Sequence, residues 1–303
     1  VEIVDTGKRS DSVLKSSHHG LSEHPVLIDG YGRTVNYVRI SVTDRCDFRC
    51  VYCMDEDMSF VPRPEILTLE EIQEVVSTFV ALGVNKVRMT GGEPLIRKGV
   101  LPLAKKLGQI SGLDHFVLTT NGSRLEAYAD SLLASGVERI NISLDTLKPE
   151  RFRALTRIGN LAPVLRGIEY ARKLSFRKIK INAVILNGRN DDEIVDLVNY
   201  ARKTGVDISF IEEMPLGIIT EHHRAETYCS SDEIKRRISE YYPLTPVLED
   251  SGGPARYYSM QDSSTRVGFI SPHSHNFCAA CNRVRVTTEG RLLLCLLLLL
   301  PCK

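Results

Sequence analysis

Three cysteines stand within eight positions in the stretch CDFRCVYC, at Cys46, Cys50 and Cys53. The spacing is C-x3-C-x2-C, and no fourth cysteine follows nearby. Four thiolates would close a tetrahedral zinc site. Three on a cubane iron–sulfur cluster hold three irons and leave the fourth open to a small ligand. Phe48 and Tyr52, between the cysteines, are placed to shield such a cluster from water, and Arg45 and Arg49 suit an anionic thiolate group. The alternative is a zinc site whose fourth ligand, such as a histidine, comes from elsewhere in the chain. A second triad, Cys278, Cys281 and Cys295, has the spacing C-x2-C-x13-C. By itself it is less specific, and it also fits zinc with His273 or His275. Cys229 and Cys302 belong to neither group and read as ordinary thiols.

The rest of the composition narrows the class. The chain has 303 residues, 43% hydrophobic and 25% charged, with a net charge of +1. That balance argues against a nucleic-acid or membrane-surface partner, which selects a strong basic excess. It leaves room for a local basic pocket. Eight cysteines in this length are too sparse for a disulfide scaffold, and their clustering points to metal or catalytic use in a reducing compartment. The first residues lack an apolar core with a cleavage site, so a cytoplasmic location is expected. Residues 1–24 are polar and read as disordered or extraneous to the fold. The apolar run from Leu292 to Leu300 is too short to span a bilayer, and the leucines after Leu296 carry little weight.

The elements that must position these residues alternate along the chain. VNYVRISV (35–42), VNKVRMT (84–90), HFVLTT (115–120), RINISL (139–144), KINAVIL (180–186) and DISFIEEM (207–214) read as strands. Helical spacing runs from Leu69 to Leu82, with Thr68 and Glu71 as a capping box before it and Gly83 to end it. Further helices are expected near 99–109, 124–135, 161–174 and 191–204. Asn190 with Glu193, and Ser230 with Glu233, give two more cap signatures. Six strands alternating with six helices predict a parallel sheet covered by helices. Such an array carries its reactive residues on loops at the C-terminal ends of strands. CDFRCVYC, TGGEP (90–94), TTNG (119–122) and SLD (143–145) all fall there and are expected to converge on one rim. After about residue 243 the pattern changes to short strands, ARYYSM, TRVGFI, RVRVTT and RLLLC, which read as a smaller β-rich portion.

These motifs carry a resemblance. C-x3-C-x2-C with an aromatic before the third cysteine, followed by GGEP at 91–94, resembles the radical S-adenosylmethionine enzymes. VRISVTDRCDFRCVYCM, KVRMTGGEPLIR, LTTNG, INISLDTL, KIKINAVI, FIEEM and FCAACNRVRVTTEGRLLLCL follow in the order of one subfamily, the GTP 3′,8-cyclases of molybdenum cofactor biosynthesis. The similarity covers about residues 30 to 296. It implies an α/β fold: a partial (βα)6 TIM-type barrel over 25–243, with a C-terminal auxiliary-cluster portion over 244–303. It implies two [4Fe–4S] clusters, one on Cys46, Cys50 and Cys53 and one on Cys278, Cys281 and Cys295. Tyr52, Gly92, Ser143 and Met214 would line an S-adenosylmethionine site, and Arg39, Arg88, Thr119, Lys180, Arg283 and Arg285 a GTP site. Lys178 stands beside Lys180 as an alternative cation. The implied reaction cleaves S-adenosylmethionine to a 5′-deoxyadenosyl radical. That radical takes hydrogen from ribose C3′ of GTP, and C3′ then attacks guanine C8. An external electron donor and a downstream enzyme for the cyclic product are implied, and a homodimer is allowed. The family continues past its last cysteine to a Gly-Gly tail, and it commonly has proline where this chain has Asp55. The competing readings are a peptide-modifying enzyme of the same superfamily with an auxiliary cluster, and a non-catalytic iron–sulfur or zinc regulator.

Overall fold

Alternation of apolar and polar residues along each strand decides the architecture. The six expected strands form: β1 Tyr37–Ser41, β2 Lys86–Thr90, β3 His115–Thr120, β4 Arg139–Ser143, β5 Lys178–Val184 and β6 Asp207–Ile211. The computed structural model describes residues 2–4, 26–55, 57–214, 219, 222–248 and 253–295. β1 to β6 pair in sequence order, each parallel to the next. Right-handed crossovers taken always in one direction put every connecting helix on the same face, which is the barrel arrangement.

Five main helices cover that face: α1 Leu69–Ala81, α2 Val100–Gly108, α3 Leu125–Ala134, α5 Leu161–Ala171 and α6 Ile194–Thr204. α4 Pro149–Thr156, α7 Arg224–Thr227 and α8 Ser231–Ser239 complete the α-helices among the described residues. Val38, Ile40, Val87, Met89, Leu118, Ile140, Ile142, Ile181, Ile208 and Phe210 all point to this side and are fully buried with Ile72, Val76, Leu103 and Leu132. Each such burial stabilises by about 1.5–3 kcal/mol.

Local signals act as their chemistry requires, with instructive exceptions. The Thr68–Glu71 capping box closes in both directions, and Gly83 takes φ +90 after α1. The Ser230 hydroxyl accepts from Glu233 N at the start of α8. Asn190 does not cap a helix. Its side chain accepts from Leu186 N and donates to the carbonyls of Asp145 and Val184. Asp145 also takes Val184 N. These side chains capture the backbone that would have continued β5, so the strand ends at Val184 and not at residue 186. α4 gave no sequence signal because only Phe152, Leu155 and Thr156 of its eight residues are buried.

The C-terminal strands are β7 Leu244–Pro246, β8 Arg256–Met260, β9 Ser263–Ile270, β10 Arg283–Val286 and β11 Leu292–Leu293. They extend the same sheet at both flanks, in the order β11-β10-β1-β2-β3-β4-β5-β6-β9-β8-β7. β9 lies parallel to β6 and β10 parallel to β1. The connection 271–282 therefore starts at the upper end of one flank and finishes at the lower end of the other. Twelve residues reach at most about 40 Å, so this segment crosses the open side of the barrel. Separately, Glu2–Val4 pairs antiparallel with Val26–Ile28. Among the described residues no helix is long and apolar enough to cross a membrane.

Candidate active site

The loop after β1 carries Cys46, Cys50 and Cys53, and its backbone is fixed on three sides. Arg49 N and Val51 N donate to Thr156 O and Leu155 O of α4, each at 3.0 Å. Gly92 N donates to Thr43 O at 2.6 Å and Glu93 N to Arg45 O at 2.8 Å. Asp47 accepts from Asn121 Nδ2 and Ser123 Oγ, both at 2.7 Å, which ties the loop to the end of β3. The GGEP turn is thus the neighbour of the cysteine loop. A Cβ on Gly92 would lie 2.2 Å from Arg45 O, and one on Gly91 2.5 Å from Thr43 O. Backbone cannot yield as a side-chain tip does. Gly92→Ala is therefore expected to cost about 3 kcal/mol and to lower iron retention, checked by denaturant melts and an iron assay.

Electrostatics around this triad are set by burial. Burial pushes the Cys46 thiol up to about 12, with Glu93 and Asp47 adding to it, and raises Cys50 and Cys53 as well. Cys46 and Cys53 both act on Cys50, so the three sulfurs share one small region. Such thiols stay protonated until a metal displaces the proton. Cys46 Sγ also accepts from Phe48 N at 3.4 Å and from Asn121 Nδ2 at 3.8 Å, contacts of the kind that tune a bound cluster. Arg45 and Arg49 do not address the sulfurs. Arg49 donates to the carbonyls of Cys46 and Phe48, Arg45 to Asp44 and Val61 O, and both stack on Phe60. Phe48 packs edge-on against Phe152.

The expected S-adenosylmethionine residues gather at the same rim. Tyr52 OH donates to Asp145 Oδ2 at 2.6 Å. Burial raises both groups, Asp145 to about 6, so the phenol keeps its proton. Ser143 is the last residue of β4 and faces the concave side, level with Asn182. Met214 follows Glu213 just beyond β6 and is half-buried. Glu93 is a buried carboxylate brought up to about 7 by burial, and it accepts from Leu95 N, Thr120 Oγ1 and Asn121 N. It holds two rim turns together.

The second triad lies at the other end. Arg283, the first residue of β10, pairs with Tyr37, the first of β1, so Cys278 and Cys281 sit below the lower edge of the strands. Arg33 Nη1 donates to Cys278 O, and Asn282 Nδ2 to Asn36 Oδ1 at 2.7 Å. β11 pairs antiparallel with β10, Leu293 opposite Arg285. Continuing that register sets Cys295 opposite Arg283, two residues from Cys281. His273 and His275 turn elsewhere, to Glu213 O and Asp232. Among the described residues no three His, Cys, Asp or Glu side chains converge as ligands of a single ion. A cubane asks instead for thiolates on separate irons, and all six cysteines of the two triads are free.

Between the two ends, the concave face is lined with cations. Strand register puts Tyr37, Arg39, Arg88, Thr119, Lys180, Arg283 and Arg285 on this one face. Arg88 Nη1 donates to Thr119 Oγ1 at 2.8 Å and Arg88 Nε to Tyr37 OH. Lys180 Nζ donates to Tyr257 OH at 3.1 Å, whereas Lys178 is neutralised by Asp207 at 2.8 Å. Arg39 Nε is buried without a partner. Among the described residues none of Arg39, Arg88, Lys180, Arg283 and Arg285 makes an ion pair. Glu93 and Asp44, the carboxylates nearest in sequence to Arg88 and Arg39, are engaged elsewhere. Burial lowers Arg39 to about 9, helped by Arg285, and lowers Lys180 to about 7, helped by Arg88. Burial would raise Tyr37, but Arg88, Arg39 and Lys86 bring it down to about 8. Uncompensated buried cations of this kind demand an anion.

Comparison with known proteins decides the family. The Radical SAM superfamily model matches residues 40–201, and the Molybdenum Cofactor Synthesis C model matches residues 206–298. A protein named GTP 3′,8-cyclase from Pseudomonas entomophila (strain L48) is 60% identical over 271 residues, 89% of this chain and 81% of that protein. The chain belongs to the GTP 3′,8-cyclase family. A relative of the same name from Marinobacter nauticus is 61% identical over 270 residues, 89% of this chain and 82% of its own length. Streptococcus suis SuiB shares the fold at TM-score 0.65 and 17% identity, over 90% of this chain and 63% of that one. As a family member the chain is an enzyme whose cofactors are [4Fe–4S] clusters and S-adenosylmethionine.

Sequence reasoning missed Tyr37, Tyr257 and Arg157, and it placed Asp47, Asn121 and Asp145 at the rim only as members of CDFRCVYC, TTNG and SLD, without individual roles. Tyr37 shares strand parity with Arg39, which a period-2 reading of YVRIS would have used. Arg157 takes φ +62 and donates to the carbonyls of Arg49 and Met54, bracing the cysteine loop. No sequence pattern marks it.

Proposed function

We propose that the chain converts GTP to 3′,8-cyclo-7,8-dihydro-GTP, the first step of molybdenum cofactor biosynthesis. The observation that carries this reading is the concave interior of the barrel, where strand register places five cations, without carboxylate partners among the described residues, on one face. Cys46, Cys50 and Cys53 would hold one cluster and Cys278, Cys281 and Cys295 the other. When bound, the first cluster with S-adenosylmethionine supplies the 5′-deoxyadenosyl radical that removes hydrogen from ribose C3′.

The protein's own work is placement and exclusion of water. Tyr52, Gly92, Ser143 and Met214 would receive S-adenosylmethionine at the rim. Arg39, Arg88, Lys180, Arg283 and Arg285 would take the triphosphate, with Thr119 keeping Arg88 aimed. The arginine fork suits bidentate phosphate binding. A substrate spanning the strand height of about 15 Å then presents its ribose between the two ends. In this reading residues 25–243 supply the S-adenosylmethionine barrel and 244–303 the auxiliary-cluster portion. The location is cytoplasmic, an external electron donor feeds the first cluster, and a downstream enzyme takes the product. A homodimer is compatible with all of this.

Anaerobic incubation of the reconstituted protein with GTP, S-adenosylmethionine and a reductant tests the reading. A cyclic GTP-derived product is expected alongside 5′-deoxyadenosine. Formation of 5′-deoxyadenosine alone would remove the substrate but keep the superfamily chemistry.

The cavity also has a pH signature. Burial, helped by Arg88, brings Lys180 down to about 7, so it is mostly neutral at pH 8. A bound polyanion raises that value, so binding takes up a proton, and affinity falls as pH rises above 7. Arg88, Arg266, Asp207 and Tyr37 act on the same ammonium, and Tyr37 titrates in the same sense. The Lys180 share is the difference between unaltered protein and Lys180→Met. Calorimetry of tripolyphosphate binding in two buffers of different ionisation enthalpy should show uptake at pH 8 that shrinks in the variant.

A further inference from the structure

Two phenols touch the cations just described, and neither belongs to the expected substrate set. Tyr37 is 3% exposed, and its hydroxyl accepts from Arg88 Nε. Lys86 Nζ stands 4.7 Å from the centre of its ring. With Thr119 on another corner, Arg88 is held at two points, and a guanidinium with five N–H donors has others left for a ligand. Tyr257 comes from β8, which lies outside the parallel array and is separated from β5 by β9 and β6. Its hydroxyl nonetheless accepts from Lys180 Nζ at 3.1 Å. The ring reaches that far because Gly268 of β9 leaves the floor bare. A Cβ there would lie 2.9 Å from the Tyr257 ring and 2.6 Å from Ser209 Oγ.

We infer that Tyr37 and Tyr257 are positioning residues that hold Arg88 and Lys180 aimed into the cavity before an anionic phosphate chain arrives. Long cationic side chains lose much rotamer freedom on binding a ligand, and a side chain already fixed loses less. In both contacts the hydroxyl oxygen accepts from the cation. Below about pH 8, where Tyr37 keeps its proton, neither phenol brings the neutralisation that a carboxylate would. Asp207, which does neutralise, is given to Lys178 and Arg266 instead. The inference rests on the GTP reading for the identity of the substrate, but not for the anion chemistry.

The test uses cluster-loaded protein under anaerobic conditions and two probes, inorganic tripolyphosphate and GTP. Tyr37→Phe and Tyr257→Phe keep the buried rings and remove one hydroxyl each. Each is expected to bind tripolyphosphate about tenfold more weakly, the scale of one hydrogen bond to a charged group. KM for GTP should rise in step, with kcat and iron content unchanged. Gly268→Ala, which moves the Tyr257 ring and neither cation, should weaken tripolyphosphate binding in the same direction. Unchanged or tighter tripolyphosphate binding in the Phe variants would overturn the inference. So would a loss confined to kcat. If the unaltered protein binds tripolyphosphate but not GTP, the substrate reading falls, and the tripolyphosphate arms still decide the role of the phenols.

Discussion

Arg285→Ala is expected to bind GTP about a hundredfold more weakly, the loss of a bidentate charged contact, while keeping its iron and melting no lower than the unaltered protein. Arg285 projects from β10 beside Arg39 of β1, its register partner. Burial lowers its affinity for the proton, and Arg283 lowers it further. No carboxylate among the described residues pairs with it. Arg39, Arg283 and Arg285 therefore repel one another, and an anion relieves that repulsion. Removing one cation loses ligand affinity and gains stability, the trade expected of a binding site rather than of a structural ion pair. A paired surface arginine would behave oppositely or not at all. Equilibrium binding, iron assay and a melt on the same preparation check all three parts. Loss of iron would make Arg285 a support of the second triad.

The second large effect separates the two ends of the barrel. Cys53→Ala and Cys281→Ala are each expected to halve the iron content, with different consequences. Cys53 lies on the rim with Tyr52, Gly92 and Ser143, and its loss should abolish 5′-deoxyadenosine formation, a drop in rate of at least about a thousandfold. Binding of tripolyphosphate should persist, because the cations hang from strands whose register does not depend on the rim loop. Cys281 lies below β10, two residues from Arg283. Its loss should weaken GTP binding while S-adenosylmethionine cleavage survives. Electron paramagnetic resonance of the reduced proteins, with product analysis, distinguishes the two variants. Identical defects in both would mean that the triads are not separate sites.

Much of this was legible because strand, turn and ligand signals are local. TGGEP, TTNG and SLD each follow a strand, and parallel pairing alone brings them to one rim with CDFRCVYC. Arg39 and Arg88 lie on the concave face because odd and even positions of a strand cannot exchange faces. What was not legible depends on contacts across the sheet. The smaller β-rich portion expected after residue 243 is spread over both flanks of one sheet, because β9 and β10 find open edges at β6 and β1. That threading places the second triad at the opposite end from the first. No spacing within C-x2-C-x13-C encodes it. Gly92 was expected to line the S-adenosylmethionine site, and the structure shows a nearer reason for glycine at 91 and 92, the backbone of Thr43 to Arg45 packed against them. Tyr257 enters from outside the barrel through the gap above Gly268, so nothing in its own neighbourhood announces a role. Lys178 and Lys180 are separated only by their partners, Asp207 for one and a phenol for the other.

The most direct measurement follows a single hydrogen. GTP carrying deuterium at ribose C3′ would be turned over anaerobically with S-adenosylmethionine, and the 5′-deoxyadenosine analysed by mass spectrometry. A cavity that anchors the triphosphate on Arg39, Arg88, Lys180, Arg283 and Arg285 and presents the ribose to the rim should deliver deuterium to 5′-deoxyadenosine, together with the cyclic product. Undeuterated 5′-deoxyadenosine formed in the presence of that substrate would contradict it.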